Sequence, residues 1–190
     1  MTHGHIWEFE DWKDIPLSEI REKFILRSMW TPRFCDLTVS DLCSLSMWKR
    51  TSPVGIYVFS KENDIVYVGK THGRSLHERA ISHIDNREPK EGSPHLAQFV
   101  SSLVKRKECS SREEAVCHIL HMKMTWMPIP NPGKTHEDHK KAIAITERRL
   151  LWRGALNPSM NSDRVKTNDW FTIKGKKHLI AENTLAGESG

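Results

Sequence analysis

The stretch SPVGIYVFSKENDIVYVGKTHGR, residues 52–74, decides how this chain folds. Val54, Ile56 and Val58 alternate with Gly55, Tyr57 and Phe59, the period of a β-strand whose successive side chains face opposite ways. The polar KEND, residues 61–64, is a turn, and IVYVG, residues 65–69, is the returning strand, so the two runs predict a β-hairpin carrying Tyr57 and Tyr67. Gly69, Lys70 and Thr71 superficially match the end of an ATP-phosphate loop. Such a loop needs a glycine five places before Gly69, where the backbone curls to aim its N–H groups at phosphate, and this chain has Asp64 there. A carboxylate repels the ligand that the loop would hold, which sets the ATP reading aside.

The residues after the hairpin predict helices. In SLHERAISHI, Ser75 and Glu78 have capping-box spacing. Leu76, Ala80 and Ile84 recur every fourth residue and predict the face packed on the sheet, while Arg79 and His83 share the neighbouring stripe near the end of the hairpin strand. Beyond the polar residues 85–94, HLAQFVSSLVKRK reads as a helix and SREEA as a helical turn. The run VCHILHMKMTWMPI, residues 116–129, suits a strand, with a helical start left open. PNPGKT is a loop, and Thr135 with Asp138 predicts a capping box for a helix over residues 136–156. HEDH, residues 136–139, therefore reads as acid favoured by a helix N-terminus, not as a metal site.

That last helix poses a chemical question. Ile143, Glu147, Leu150, Leu151 and Gly154 fall on one stripe, which sets the Glu147 carboxylate in an apolar face. A charge there demands an ion pair, a metal, or a raised pKa. Arg79 and Arg148 are the plain candidates for an ion pair.

The flanks are simpler. Residues 1–50 read as a helical extension: Pro16–Met29 places Ile20, Phe24, Ile25 and Met29 along one face, TPRF interrupts, and VSDLCSLSMW from Val39 predicts a short helix with Ser40 as N-cap. Residues 164–190 form a basic tail with a small, polar end expected to be mobile, and Trp170 beside Lys174, Lys176 and Lys177 is the tryptophan best placed to meet nucleic acid. With 190 residues, 37% apolar and 28% charged, the chain suits one core with appendages. No apolar run approaches the roughly 20 residues that span a bilayer, and the opening MTHGHIWEFEDW lacks the order of a secretory signal, so an intracellular protein without a membrane partner is expected. Cys35, Cys43, Cys109 and Cys117 match no zinc spacing and predict reduced, mostly buried thiols. The net charge of +5, with 11 histidines, admits a polyanionic partner without requiring one.

Together, GIY at 55–57, YVG at 67–69, the Arg79 and His83 of LHERAISH, the Glu147 of ITERRLL and the Asn161 of LNPSMN resemble the GIY-YIG nuclease family, over residues 53–163 and in the family's order. The resemblance implies an α+β fold for residues 51–163, a small three-stranded antiparallel sheet flanked by helices, that hydrolyses DNA phosphodiester bonds with Mg²⁺ or Mn²⁺. It implies that Tyr57 and Tyr67 face the site, Arg79 contacts the scissile phosphate, Glu147 binds the metal, and His83, Asn161, Gly55 and Gly69 support them. Lys70 then serves a DNA phosphate or a tyrosine, and Arg74, Lys174, Lys176 and Lys177 are further DNA contacts. One carboxylate suggests one ion per site, with Asp64, Asp85 and Asp163 the only acidic neighbours in sequence. The expected base is Tyr57 or Tyr67, its pKa depressed by Lys70, Arg79 or the metal, with His83 the other candidate. Residues 86–135, longer than usual in the family, read as a DNA-contacting insertion. A restriction-type or phage-like double-strand endonuclease, as a dimer or tetramer, is the first expectation. A structure-specific repair or recombination nuclease and a catalytically idle nucleic-acid-binding module are the alternatives.

Overall fold

The computed structural model describes residues 4–38, 40–41, 54–72, 76–84, 98–133, 135–151, 155–156, 158–160, 170–173 and 176–179, with the backbone alone at 76–77, 98, 170–173 and 176–179. Strands β1 (Gly55–Lys61) and β2 (Asp64–Thr71) form the expected antiparallel hairpin, turning through Glu62 and Asn63, with Glu62 at φ 52 in the left-handed region. The register pairs Tyr57 with Gly69. It then slips, so that Phe59 opposes Tyr67 while Ser60 opposes Ile65, leaving Val66 as the extra residue of a bulge. The slip explains why Val66 and Tyr67, although adjacent, both join the Tyr57 side of the sheet, while Ile65 and Val68 pack on the other.

Strand β3 (Lys123–Pro128) pairs antiparallel with the free side of β1, giving the order β2-β1-β3. Ile56, Val58, Ile65, Val68 and Met127 line one face, and Tyr57, Phe59, Met124 and Trp126 line the other. The described fold is α+β, a small three-stranded antiparallel sheet with helices against it.

Residues expected as an N-terminal extension are built into this core. Between the short helix α1 (Phe9–Trp12) and α2 (Ile20–Ser28) and on both of them, Trp12, Leu17, Ile20 and Phe24 pack with Trp7 against Ile56, Val58 and Met127. Met29, expected on the same stripe as Ile20 and Phe24, is exposed because the helix stops at Ser28. The outer edge of β3 is covered by the same segment. Trp126 donates its backbone N–H to the His5 carbonyl at 2.7 Å and accepts from Trp7 at 2.8 Å, while Phe34 donates to Met122 at 2.7 Å. An open strand edge invites pairing with other chains, and these bonds close it. The predicted cap at Ser40 is replaced by Thr38, whose hydroxyl accepts from the Asp41 N–H at 3.1 Å while its own N–H donates to the Asp41 carboxylate at 2.8 Å. The remainder of that predicted helix lies outside the described residues.

Among the described residues four further α-helices follow: α3 (Leu76–His83), α4 (Gln98–Lys105), α5 (Arg112–Leu120) and α6 (His136–Leu151). The run from Val116 expected as mostly strand is helical as far as Leu120. Ser111 caps α5 by accepting from the Glu114 N–H at 3.1 Å, and Ala115 and Ile119 bury one helical face. Within the segment expected to contact DNA, α4 and α5 bury Phe99, Val100, Leu103, Ala115 and Ile119, and β3 supplies the third strand.

Helix α6 begins with the anticipated capping box, in which Thr135 Oγ1 accepts from the Asp138 N–H and the Thr135 N–H donates to Asp138 Oδ2, each at 3.2 Å. Replacing Thr135 with alanine is expected to lower stability by about 1 kcal/mol, measurable as a shift in the urea midpoint without a change in slope.

In the tail, β4 (Trp170–Ile173) and β5 (Lys176–Leu179) pair as a second hairpin that sequence reading missed. Among the described cysteines, Cys109 is buried but Cys35 and Cys117 are exposed, so the thiols are not mostly buried, and Cys43 lies outside the described residues. Among the described residues no helix is long and apolar enough to cross a membrane.

Candidate active site

Tyr57, 1% exposed, is the hub of the concentration of polar side chains on its face of the sheet. Its partner across the strands is Gly69, and a Cβ at Gly69 would overlap the Tyr57 ring at Cζ and Oη. Gly69 is needed there because the ring lies flat across the neighbouring backbone. Gly55 is needed for a similar reason, since a Cβ would run into the carbonyl oxygen of Met127 on β3. Both glycines serve close strand packing, with no role as a phosphate loop.

Helix spacing delivers the next groups. Arg79 and His83, one turn apart on α3, converge on the same phenol: Arg79 Nε donates to Tyr57 Oη at 3.1 Å, and His83 Nε2 lies 2.8 Å from it. The His83 ring is boxed by Tyr57, Phe59, Tyr67 and Phe99, with ring centroids 5.2 to 5.8 Å away. Phe99, on α4, also stacks on Tyr67 at 5.0 Å and 24°. Sequence reading did not single out Phe99, and its position in the apolar stripe of α4 was the available signal.

Burial governs the ionisation of this group. It pushes the Tyr57 pKa well above 10, the nearby Tyr67 oxygen adds to the rise, and the Arg79 charge only partly opposes it. The expected depression of a tyrosine pKa is therefore reversed at Tyr57, because desolvation outweighs the guanidinium. Burial also works to lower the Arg79 pKa, but the facing oxygens of Tyr57 and Tyr67 raise it overall. His83 is held down to about 3, by burial first and by Arg79 second, so its imidazole is neutral near pH 7. A neutral His83 can accept the Tyr57 proton at Nε2 while Arg79 donates to the same oxygen.

The His83 shift predicts a pH dependence of stability. Its folded pKa lies below the unfolded value near 6.5, so the unfolded chain binds the extra proton between about pH 6.5 and 3. The His83 contribution is complete above pH 6.5 and falls by about 1.4 kcal/mol per pH unit across that window. Urea titrations from pH 7 to 4 should show this slope in the wild type and lose one proton's share of it in His83→Gln.

On the opposite side of the hairpin strand, Glu147 lies 7% exposed on α6, and Lys70 Nζ donates to its Oε2 at 2.6 Å. The ion-pair partner is thus Lys70, in place of Arg79 or Arg148. The pair joins the end of β2 to the middle of α6. Among the described residues no three His, Cys, Asp or Glu side chains group as a metal cage. A divalent ion anchored by one carboxylate would take waters and substrate phosphate in its remaining positions. Glu147 is the residue that would hold it.

The other predicted residues divide clearly. Asp64 lies at the hairpin-turn end, exposed and ion-paired with Arg21 at 3.6 Å, and so is removed from Glu147. Arg74, Asn161, Lys174, Asp85 and Asp163 lie outside the described residues, and Lys176 and Lys177 are placed on β5 by their backbone alone. Asp138 and His139 are spent on structure, the first in the cap and the second within 2.6 Å of the Ile129 carbonyl. Trp7, Trp12 and Trp126 are buried and Trp30 is 80% exposed, while the Trp170 side chain is outside the description. Compared with known proteins, the chain matches no family model, no curated protein and no solved structure.

Proposed function

We propose that the protein is a GIY-YIG-type nuclease that hydrolyses DNA phosphodiester bonds with Mg²⁺ or Mn²⁺, and that its closest functional class is a restriction-type or phage-like double-strand endonuclease. The observation that carries the reading is the meeting of Tyr57 and Tyr67 from the hairpin with Arg79 and His83 from α3, while Glu147 of α6 is tied through Lys70 to the other side of the same hairpin. Structural ion pairs also bury carboxylates, but a guanidinium, a neutral imidazole and two phenols gathered on one sheet face are costly to desolvate without use.

In this reading Arg79 presents its guanidinium to the scissile phosphate, where planar donors match two phosphate oxygens. Glu147 holds the divalent ion, which when bound supplies positive charge to the phosphate as negative charge builds there. Water attacks phosphorus as the bond to one ester oxygen breaks, and a phenol of the Tyr57–Tyr67 pair takes the water's proton while giving its own proton to the departing oxygen. His83 orients Tyr57 by accepting the hydrogen bond of its hydroxyl. Lys70 keeps the Glu147 carboxylate aimed until substrate arrives. DNA, as the partner, and a dimer or tetramer that cuts both strands belong to the same proposal.

Incubating the protein with supercoiled plasmid and Mg²⁺ or Mn²⁺ tests it. Discrete fragments, lost in EDTA and in Arg79→Ala, are the expected result. Nicking or smearing instead would favour a structure-specific nuclease, and binding without any cleavage would leave only a nucleic-acid-binding module.

A further inference from the structure

We infer that Leu26, Met29 and Trp30 form the centre of a surface on which a second copy of this chain docks about a two-fold axis, with helix α2 of one protomer antiparallel to α2 of its partner. The inference gives the dimer of the nuclease reading a surface, and it rests on that reading for the reason a second copy is needed.

Helical spacing builds the surface. Helix α2 buries Ile20 and Phe24, and the backbone stays helical at Met29. Leu26, Met29 and Trp30 are three and four residues apart, so they share one stripe, on the side of the helix away from Ile20 and Phe24. They are 52, 60 and 80% exposed, and among the described residues Ile81 is the only other large apolar side chain exposed to that degree. Three such side chains within five residues make a patch, unlike the single apolar residues that any protein surface carries.

The backbone beneath the patch is pinned. Ser28 and Thr31 are buried, the Trp30 N–H donates to the Arg27 carbonyl at 3.3 Å, and the Thr31 N–H donates to the Ser28 carbonyl at 3.1 Å. Lys123 Nζ, from β3, donates to the carbonyls of Ser28 and Met29 at 2.9 and 3.0 Å, and Thr31 Oγ1 donates to the Gly4 carbonyl at 3.2 Å. The exposure of Met29 and Trp30 is therefore built into the fold, and docking them costs little backbone order. Tryptophan and methionine are also enriched at the centres of protein interfaces.

Charge selects the partner. Glu19 and Glu22, both exposed, lie at the N-terminal end of the same stripe, and Lys23 stands four residues from Glu19, the spacing that offsets it within one chain. At the other end the Lys123 ammonium and the Arg27 guanidinium rest on backbone carbonyls, which carry no net charge, while Arg33 is paired with Asp36. The surface thus runs from acid at Glu22, through the apolar centre, to base at Lys123. A two-fold axis near Leu26 turns one copy end for end, setting Glu22 of each protomer toward the basic end of the other and the apolar centres together. Nucleic acid is the poorer occupant, because the carboxylates of Glu19 and Glu22 repel phosphate.

The test is sedimentation velocity of the full chain over a concentration series without DNA, for the wild type, Trp30→Ser, Glu22→Lys and the control Ile81→Ser, with plasmid cleavage measured alongside. All three positions are exposed, so the variants should fold, and circular dichroism checks that they do. A monomer–dimer equilibrium is expected for the wild type and Ile81→Ser, weakened at least about tenfold by Trp30→Ser and also weakened by Glu22→Lys. A wild type that stays monomeric at its highest soluble concentration, or a Trp30→Ser dimer as tight as the wild type's, overturns the surface, and plasmid cleavage by that wild type leaves the nuclease reading standing. Trp30→Ser with unchanged mass but weaker binding to a DNA duplex assigns the patch to nucleic acid and also overturns the dimer. If the dimer responds as expected but no plasmid is cut, the surface stands and the nuclease reading falls.

Discussion

Gly69→Ala is expected to dislodge Tyr57, reducing the proposed DNA cleavage by about a hundredfold or more and stability by about 1–3 kcal/mol. The added methyl would occupy the space of the Tyr57 phenol carbon and oxygen, and the neighbour is a ring boxed on its other sides by Phe59, Tyr67 and His83. Once the ring tilts, Arg79 and His83 lose the oxygen on which both are aligned. A double-mutant cycle separates this steric cause from a general weakness of β2. In a Tyr57→Ala background the methyl meets no ring, so Gly69→Ala should cost little there and the two changes should couple strongly. Additive losses would show that Gly69 matters for some reason other than the ring.

The second large effect divides stability from catalysis. On the proposed nuclease reading, Glu147→Gln is expected to cut hydrolysis by at least about a thousandfold, because it removes the carboxylate that the proposal assigns to the metal. Lys70→Met should be the more destabilising change, leaving the buried carboxylate without its cation. Breaking a fully buried pair costs about 3–5 kcal/mol. Lys70 is 30% exposed in its side chain, so water can partly replace it and a loss of roughly 1–3 kcal/mol is expected. The apolar pair Lys70→Met with Glu147→Leu should regain most of that stability while remaining inactive. Residual metal-dependent cleavage in the double variant would remove Glu147 from the proposed chemistry.

How far the sequence foretold this arrangement depends on the range of the interaction. Alternation in residues 54–59 yielded the first strand of the hairpin and the division of its side chains between two faces, because those signals are local and a strand has period 2. Spacing by four on α3 correctly grouped Arg79 with His83, though not the shared phenol. The apolar stripe of α6 marked Glu147 as needing a partner, yet Lys70 is 77 residues away, and only the packing of α6 on β2 selects it over the nearer Arg148. The bulge at Val66 shifts the register by one residue, which no periodicity announces. The boundary between α5 and β3 was blurred by Val116 and Ile119, residues favoured in strands but held in a helix here by the Ser111 cap. The N-terminal tryptophans carried no sign that they belong in the central core, since burial against Ile56 and Met127 is a property of the whole fold.

The covering of the β3 edge has a consequence for biosynthesis. Residues 5–7 leave the ribosome long before Trp126, the strand residue whose N–H and carbonyl they engage. At typical translation speeds of about 5–20 residues per second, that delay is roughly 6–24 s. Throughout it Trp7, Trp12, Ile20 and Phe24 lack the complete sheet that they cover, so the nascent chain presents a cluster of aromatic and aliphatic side chains that chaperones recognise. The hairpin of β1 and β2 can form as it emerges, but the body closes only when β3 arrives. A ribosome stalled between Thr71 and Lys123 should therefore hold a chain that is highly sensitive to protease in its first 35 residues.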